Sequence, residues 1–146
     1  MKFLRSQCGT ALIEFALLAP VLIFLVIGII EVGRYVYFGV LAAHAAEAGA
    51  QYGAQNLTNA ENLSGMRSAA SADAGSLSQW SFSASTLCST GGSTPSSPCP
   101  SGTPGSSTIY YVKVSVSGTF HSLLNYPGLP TAAPVGATTT MRVISQ

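Results

Sequence analysis

Residues 9–30 read GTALIEFALLAPVLIFLVIGII. Across residues 15–30 there is no charged side chain, and back to Ala11 the run is broken by Glu14 alone. At about 1.5 Å rise per residue, a helix of about twenty residues spans about 30 Å, the thickness of a bilayer's hydrocarbon core. The stretch predicts a transmembrane helix over residues 10–33. Lys2 and Arg5 precede it, and basic residues favour the cytoplasmic side. The N-terminus is therefore expected in the cytoplasm and the remainder of the chain on the outer side. Pro20 falls inside the run, where a kink is tolerated because neighbouring membrane helices re-satisfy the freed carbonyl.

Glu14 fits a plain anchor poorly. An ionised carboxylate costs on the order of 2.5–3.5 kcal/mol at the bilayer centre. In one reading it sits at headgroup level in the first helical turn, where its charge suits the helix dipole. In the other, a partner neutralises it. The residues around it favour the second. Gly9-Thr10-Ala11-Leu12-Ile13-Glu14-Phe15 resembles the processing site of type IV prepilins and their relatives, in which a short basic leader ends in Gly and Glu stands fifth in the mature chain. Cleavage after Gly9 would make Thr10 the first residue. Glycine at the cut lets the backbone extend in a protease cleft without Cβ conflict. The freed α-amine could then pair with Glu14 of a neighbouring subunit in apolar surroundings, where the attraction is far stronger than in water.

The resemblance extends further. Glu14-Phe15-Ala16-Leu17-Leu18-Ala19-Pro20, then Gly28-Ile29-Ile30-Glu31-Val32-Gly33-Arg34, then AAEAGAQYGA at residues 45–54 are similar to the TadE family of tight-adherence (Flp) pilus assembly proteins. The Ala-rich block departs from the family pattern at Glu47-Ala48 and Gly49-Ala50-Gln51, where members often carry Arg-Glu and Gly-Ala-Arg. Pro127-Gly128-Leu129-Pro130 through Thr140-Met141-Arg142-Val143 looks like the family's closing strand. The resemblance implies a minor pilin-like structural protein of the inner membrane. It also implies, as partners, a lipid bilayer, a prepilin peptidase, other pilin-like subunits and inner-membrane pilus assembly proteins. No cofactor is implied.

The chain has 146 residues, room for one anchor and one small domain. Charged residues make up 8% and the net charge is +1, which provides no basic field for nucleic acid. If the leader 1–9 is removed, Cys8 leaves with it, and Cys88 and Cys99 remain as an even pair. In an exported domain such a pair is expected to form a disulfide. Two thiols without further ligands make a poor zinc site. A cleavable secretory signal is the alternative for the N-terminus, but the apolar run is longer than an h-region and contains Glu14 and Pro20. Candidate small-residue cuts such as Ala43-His44-Ala45 lie well beyond it.

Past Ile30 no strong breaker occurs, and the helix is expected to continue over 34–56. Ala42, Ala45, Ala46, Gly49 and Gly53 recur at i+3 and i+4 spacing as a strip of small residues, while His44, Glu47, Gln51 and Gln55 share another face. Such a strip lets a second backbone approach closely. Packing against the chain's own domain is expected at Gly53, and packing against a partner nearer the membrane. Tyr35, Tyr37 and Phe38 read as an interfacial aromatic belt with Arg34 at headgroup level, and Glu31 and Arg34 are spaced to pair.

Residues 57–146 are expected to form a small α+β domain. Thr58-Asn59-Ala60-Glu61 has capping-box spacing and opens a helix over 59–74 with Leu63, Met66 and Ala70 on one face. Asn56-Leu57-Thr58 and Asn62-Leu63-Ser64 are formal glycosylation sequons, triplets that arise often by chance. Trp80, Phe82 and Ala84 alternate with serines as a half-buried strand. Residues 89–107, dense in Ser, Pro and Gly, read as a loop pinched by the cysteine pair. Tyr110, Val112, Val114, Val116 and Phe120 form the inner face of a longer strand. A turn over 125–134 and a last strand over 137–144 follow. The three strands are expected in one antiparallel sheet covered by the continuing helix, the plan of a pilin-like subunit.

No catalytic constellation emerges. His44 and Glu47 share a helical face, but two ligands lack a third; His121 stands alone, and Asp73 is the only aspartate. The chain is read as a non-enzyme. Rival readings are an uncleaved anchored adhesin acting through the Ser/Pro loop, an exported binding protein using Trp80 and the strand tyrosines, and an envelope enzyme using His44 and Glu47.

Overall fold

The computed structural model describes residues 8–75, 79–90, 94–96, 99, 108–123 and 131–144. Lys2, Arg5, most of the 89–107 loop and the Pro127–Pro130 turn fall outside them.

Helix α1 spans Cys8–Ala54 and runs through Pro20 without interruption. The chain divides into two compact units, residues 1–35 and 36–146. In the first unit, α1 carries a largely apolar surface, with Leu17, Ile23 and Phe24 among its exposed side chains. The second unit contains the end of α1, helices α2 (Leu57–Glu61) and α3 (Leu63–Ala74), and strands β1 (Ser81–Thr90), β2 (Thr108–His121) and β3 (Ala132–Arg142). The strands form one antiparallel sheet in the order β1-β2-β3. The architecture is α+β, as the sequence pattern predicts.

The period-two pattern of β2 determines the core. Val112, Val114, Val116 and Phe120 are buried while Lys113, Ser117 and Thr119 face out. Against this inner face lie Ala42, Ala45, Ala46 and Ala50 of α1 and Met66, Ala70 and Ala74 of α3, in two adjoining clusters. Met66 is wholly buried, and its unbranched thioether fills the gap between α1 and the sheet.

The expected single helix over 59–74 is two helices, and Thr58 is not the cap. Asn56 is extended and its Oδ1 accepts from the Asn59 N–H at 2.8 Å. Asn62 both ends α2 and opens α3, its Oδ1 accepting from the Gly65 N–H at 2.9 Å. Asparagine outranks threonine at this position because its short side chain reaches the orphan amide readily. Both sequon asparagines are thus helix caps. Gly75 ends α3 with φ 52°, a left-handed value that glycine adopts without Cβ conflict.

The last strand also departs from expectation. It begins at Ala132, not after Pro134, and its regular pairing ends at Arg142. Pro134 sits opposite Thr119 inside the ladder. The edge position of β3 explains this, since a proline there need not donate to a further strand. Beyond Arg142, the Val143 N–H donates to the Tyr110 carbonyl at 2.9 Å and the Ile144 N–H to the Ala54 carbonyl at 3.0 Å. The last contact satisfies one of the orphan carbonyls at the end of α1. Strand β1 starts at Ser81, just after Trp80, and runs through Ser89 and Thr90, residues that the sequence pattern assigns to the loop.

Candidate functional site

In the first unit the site is the helix itself. Gly9 and Thr10 lie within α1. A Cβ at Gly9 would meet nothing within 4 Å. Glu14 follows Thr10 by one turn of helix and is exposed. Around it Leu12, Ile13, Phe15, Leu17 and Leu18 are exposed as well. A carboxylate is thereby set in an apolar surface, the arrangement in which an opposite charge would be felt most strongly. Among the described residues, α1 is the one helix long and apolar enough to cross a membrane, with none of its apolar window buried. At the far end of this unit the Arg34 guanidinium donates to the Glu31 carboxylate at 2.9 Å.

The small-residue strip lies in the second unit. Ala42, Ala45, Ala46, Gly49 and Gly53 are all buried. A Cβ at Gly49 would stand 2.8 Å from the Met66 carbonyl oxygen and 3.1 Å from Val114 Cγ1. A Cβ at Gly53 would collide with the Met66 sulfur. The strip is filled by this chain's own α3 and β2, including its membrane-proximal end at Ala42, where a partner was expected. The reason is size: only side chains this small let α1 approach the sheet over its whole inner face.

The aromatic belt divides in the same way. Tyr35 and Tyr37 are exposed, but Phe38 turns inward, 5.7 Å from the Phe120 ring and 6.2 Å from Trp80. Trp80 in turn occupies the space a Cβ at Gly118 would need. It is half-buried and packs against the cluster that holds Ala74 and Val116. Glycine at position 118, in the middle of a strand where it is otherwise disfavoured, is the signal in the sequence that a large group lies over the backbone there.

His44 and Glu47 line an open groove with Leu41, Ala48, Gln51 and Asp73. The Gln51 amide donates to the Glu47 carboxylate at 3.3 Å. Among the described residues no three His, Cys, Asp or Glu side chains converge as metal ligands would. The Cys88 and Cys99 sulfurs stand at bonding distance, and Cys88 exchanges a reciprocal pair of backbone hydrogen bonds with Ser96, each 3.0 Å. The bond closes a short loop onto the outer edge of β1.

A family model described as "TadE-like protein" matches residues 9–51. That segment is TadE-like. The TadE-like segment opens on Gly9 and ends within the buried strip of α1, so it covers the apolar helix and its first approach to the sheet. Neither a curated protein nor a solved structure matches the chain.

Proposed function

We propose that this chain is a single-pass, pilin-like structural subunit of a tight-adherence pilus system, cut after Gly9 by a prepilin peptidase. Residues 36–146 would then stand on the outer side of the inner membrane, with the leader in the cytoplasm. One observation carries the reading: the TadE-like segment begins at Gly9, the residue after which the cut is expected, and Glu14 follows in an exposed apolar helix surface. Cleavage turns the Thr10 amide into an ammonium. In a bundle of such helices the ammonium of one subunit and Glu14 of the next neutralise each other, which offsets the cost of holding either charge in an apolar medium. The work of the protein is thus assembly, and no residue is asked to perform bond chemistry.

The test is co-isolation. In detergent extracts of a piliated host, the chain should come down with other pilin-like subunits. Glu14→Ala should stay in the membrane but lose most of that association, because it leaves the neighbour's ammonium unpaired. Retention of the whole complex by Glu14→Ala would remove the charge pairing from the account.

A further inference from the structure

The outward face of the sheet has a composition that the assembly role leaves unused. Ser83, Ser115 and Thr138 stand side by side across β1, β2 and β3; two residues further along, Lys113 pairs with Thr140, and beyond them Tyr111 with Arg142. Ser83, Lys113, Thr138, Thr140 and Arg142 are exposed, and Ser115 and Tyr111 are half-buried. Neighbouring strands lie about 4.8 Å apart and same-face residues about 6.8 Å apart along a strand, so these groups form a flat lattice. Thr138 Oγ1 donates to Ser115 Oγ at 2.8 Å and Ser83 Oγ to the Ser115 carbonyl at 3.3 Å, which holds the hydroxyls in place.

Charge on this face has one sign. The acidic residues of the chain, Glu14, Glu31, Glu47, Glu61 and Asp73, all lie on α1, α2 or α3. The strands carry Lys113 and Arg142 and no acid.

From this placement we infer that the outer sheet face binds an acidic polysaccharide. The hydroxyls both donate and accept, matching a polyhydroxylated chain, and their short side chains lose little entropy on binding. Lys113 and Arg142 match carboxylates spaced along that chain, and the Tyr111 ring offers an apolar patch to a sugar's C–H face. Among the described residues of this face the apolar side chains Leu87 and Tyr111 pair at one end, both half-buried, and the rest of the lattice is polar. Its two cations are far fewer than the six to ten phosphate contacts that typically hold a nucleic acid. The inference is independent of whether the leader is removed.

The experiment uses the full chain in neutral detergent over immobilised alginate, with dextran as the uncharged control and single-stranded DNA as a charge control. Retention on alginate and not on dextran is expected, falling steeply with added salt. Lys113→Glu should weaken it about tenfold, the loss of one charge-assisted contact and its replacement by repulsion. Thr138→Val should weaken it less, without changing the salt dependence. Lys113→Gln serves if the Glu variant does not fold, with a smaller loss expected. Equal retention on dextran, DNA binding as tight as alginate, no alginate binding, or indifference to both Lys113 variants would each overturn the inference.

Discussion

Two parts of α1 are built from apolar residues and meet different surroundings. Over residues 11–33 the side chains are large, Leu22 and Phe24 remaining 52% and 63% exposed. Over residues 42–53 those of the inward strip are small, and Ala42, Ala45, Ala46 and Ala50 are wholly buried. Apolar content alone does not distinguish these cases; side-chain size does. Bulky aliphatic residues all round a helix suit a lipid surround, and a one-sided strip of Ala and Gly suits a backbone brought close. The family match, residues 9–51, takes in the first part and most of the second.

The comparison can be broken by substitution. The largest effect is expected at Met66, where truncation to Ala removes the group that fills the space between α1, α3 and β2 and should cost about 2–5 kcal/mol of domain stability. Leu22→Ala, an equally apolar change in the anchor, should leave the thermal unfolding of the domain unchanged. If both variants melt alike, the division of α1 is wrong. A smaller and sharper contrast comes from glycine. Gly49→Ala forces a methyl against the Met66 carbonyl and Val114 and should cost about 1–3 kcal/mol, whereas Gly28→Ala meets nothing within 4 Å and should cost nothing. The smallest effect is Asn62→Ala. Losing the cap shared by α2 and α3 should cost about 1 kcal/mol, read by chemical denaturation, with a larger loss showing that Asn62 supports more than one turn of helix.

Much of this organisation is legible in the sequence where one periodicity runs long. The apolar run of α1, the small-residue strip and the alternating valines of β2 each repeat a local preference over many residues, and tertiary packing agrees with them. The departures occur where a single residue carries two meanings. Thr58 has capping-box spacing, but α2 starts before it, and Asn56 and Asn62 cap the two helices at the Asn59 and Gly65 amides. Pro134 marks a turn unless its strand lies at an edge, which the sequence does not reveal. Phe38 follows two exposed tyrosines, and its inward turn depends on Trp80 and Phe120, far away along the chain. At the candidate site Gly9 and Glu14 belong to one local motif, and the matched segment opens on Gly9. The occupant of the small-residue strip is not legible, because Met66 and Val114 reach it only through the fold.

The account's central claim concerns the covalent start of the mature chain. Intact mass and terminal peptide sequencing of the membrane-extracted protein from a host with an active prepilin peptidase decide it. The account predicts that the chain begins at Thr10, with residues 1–9 missing, and that deletion of the peptidase restores them. A chain beginning at Met1 in that host would contradict it and leave α1 an uncleaved anchor.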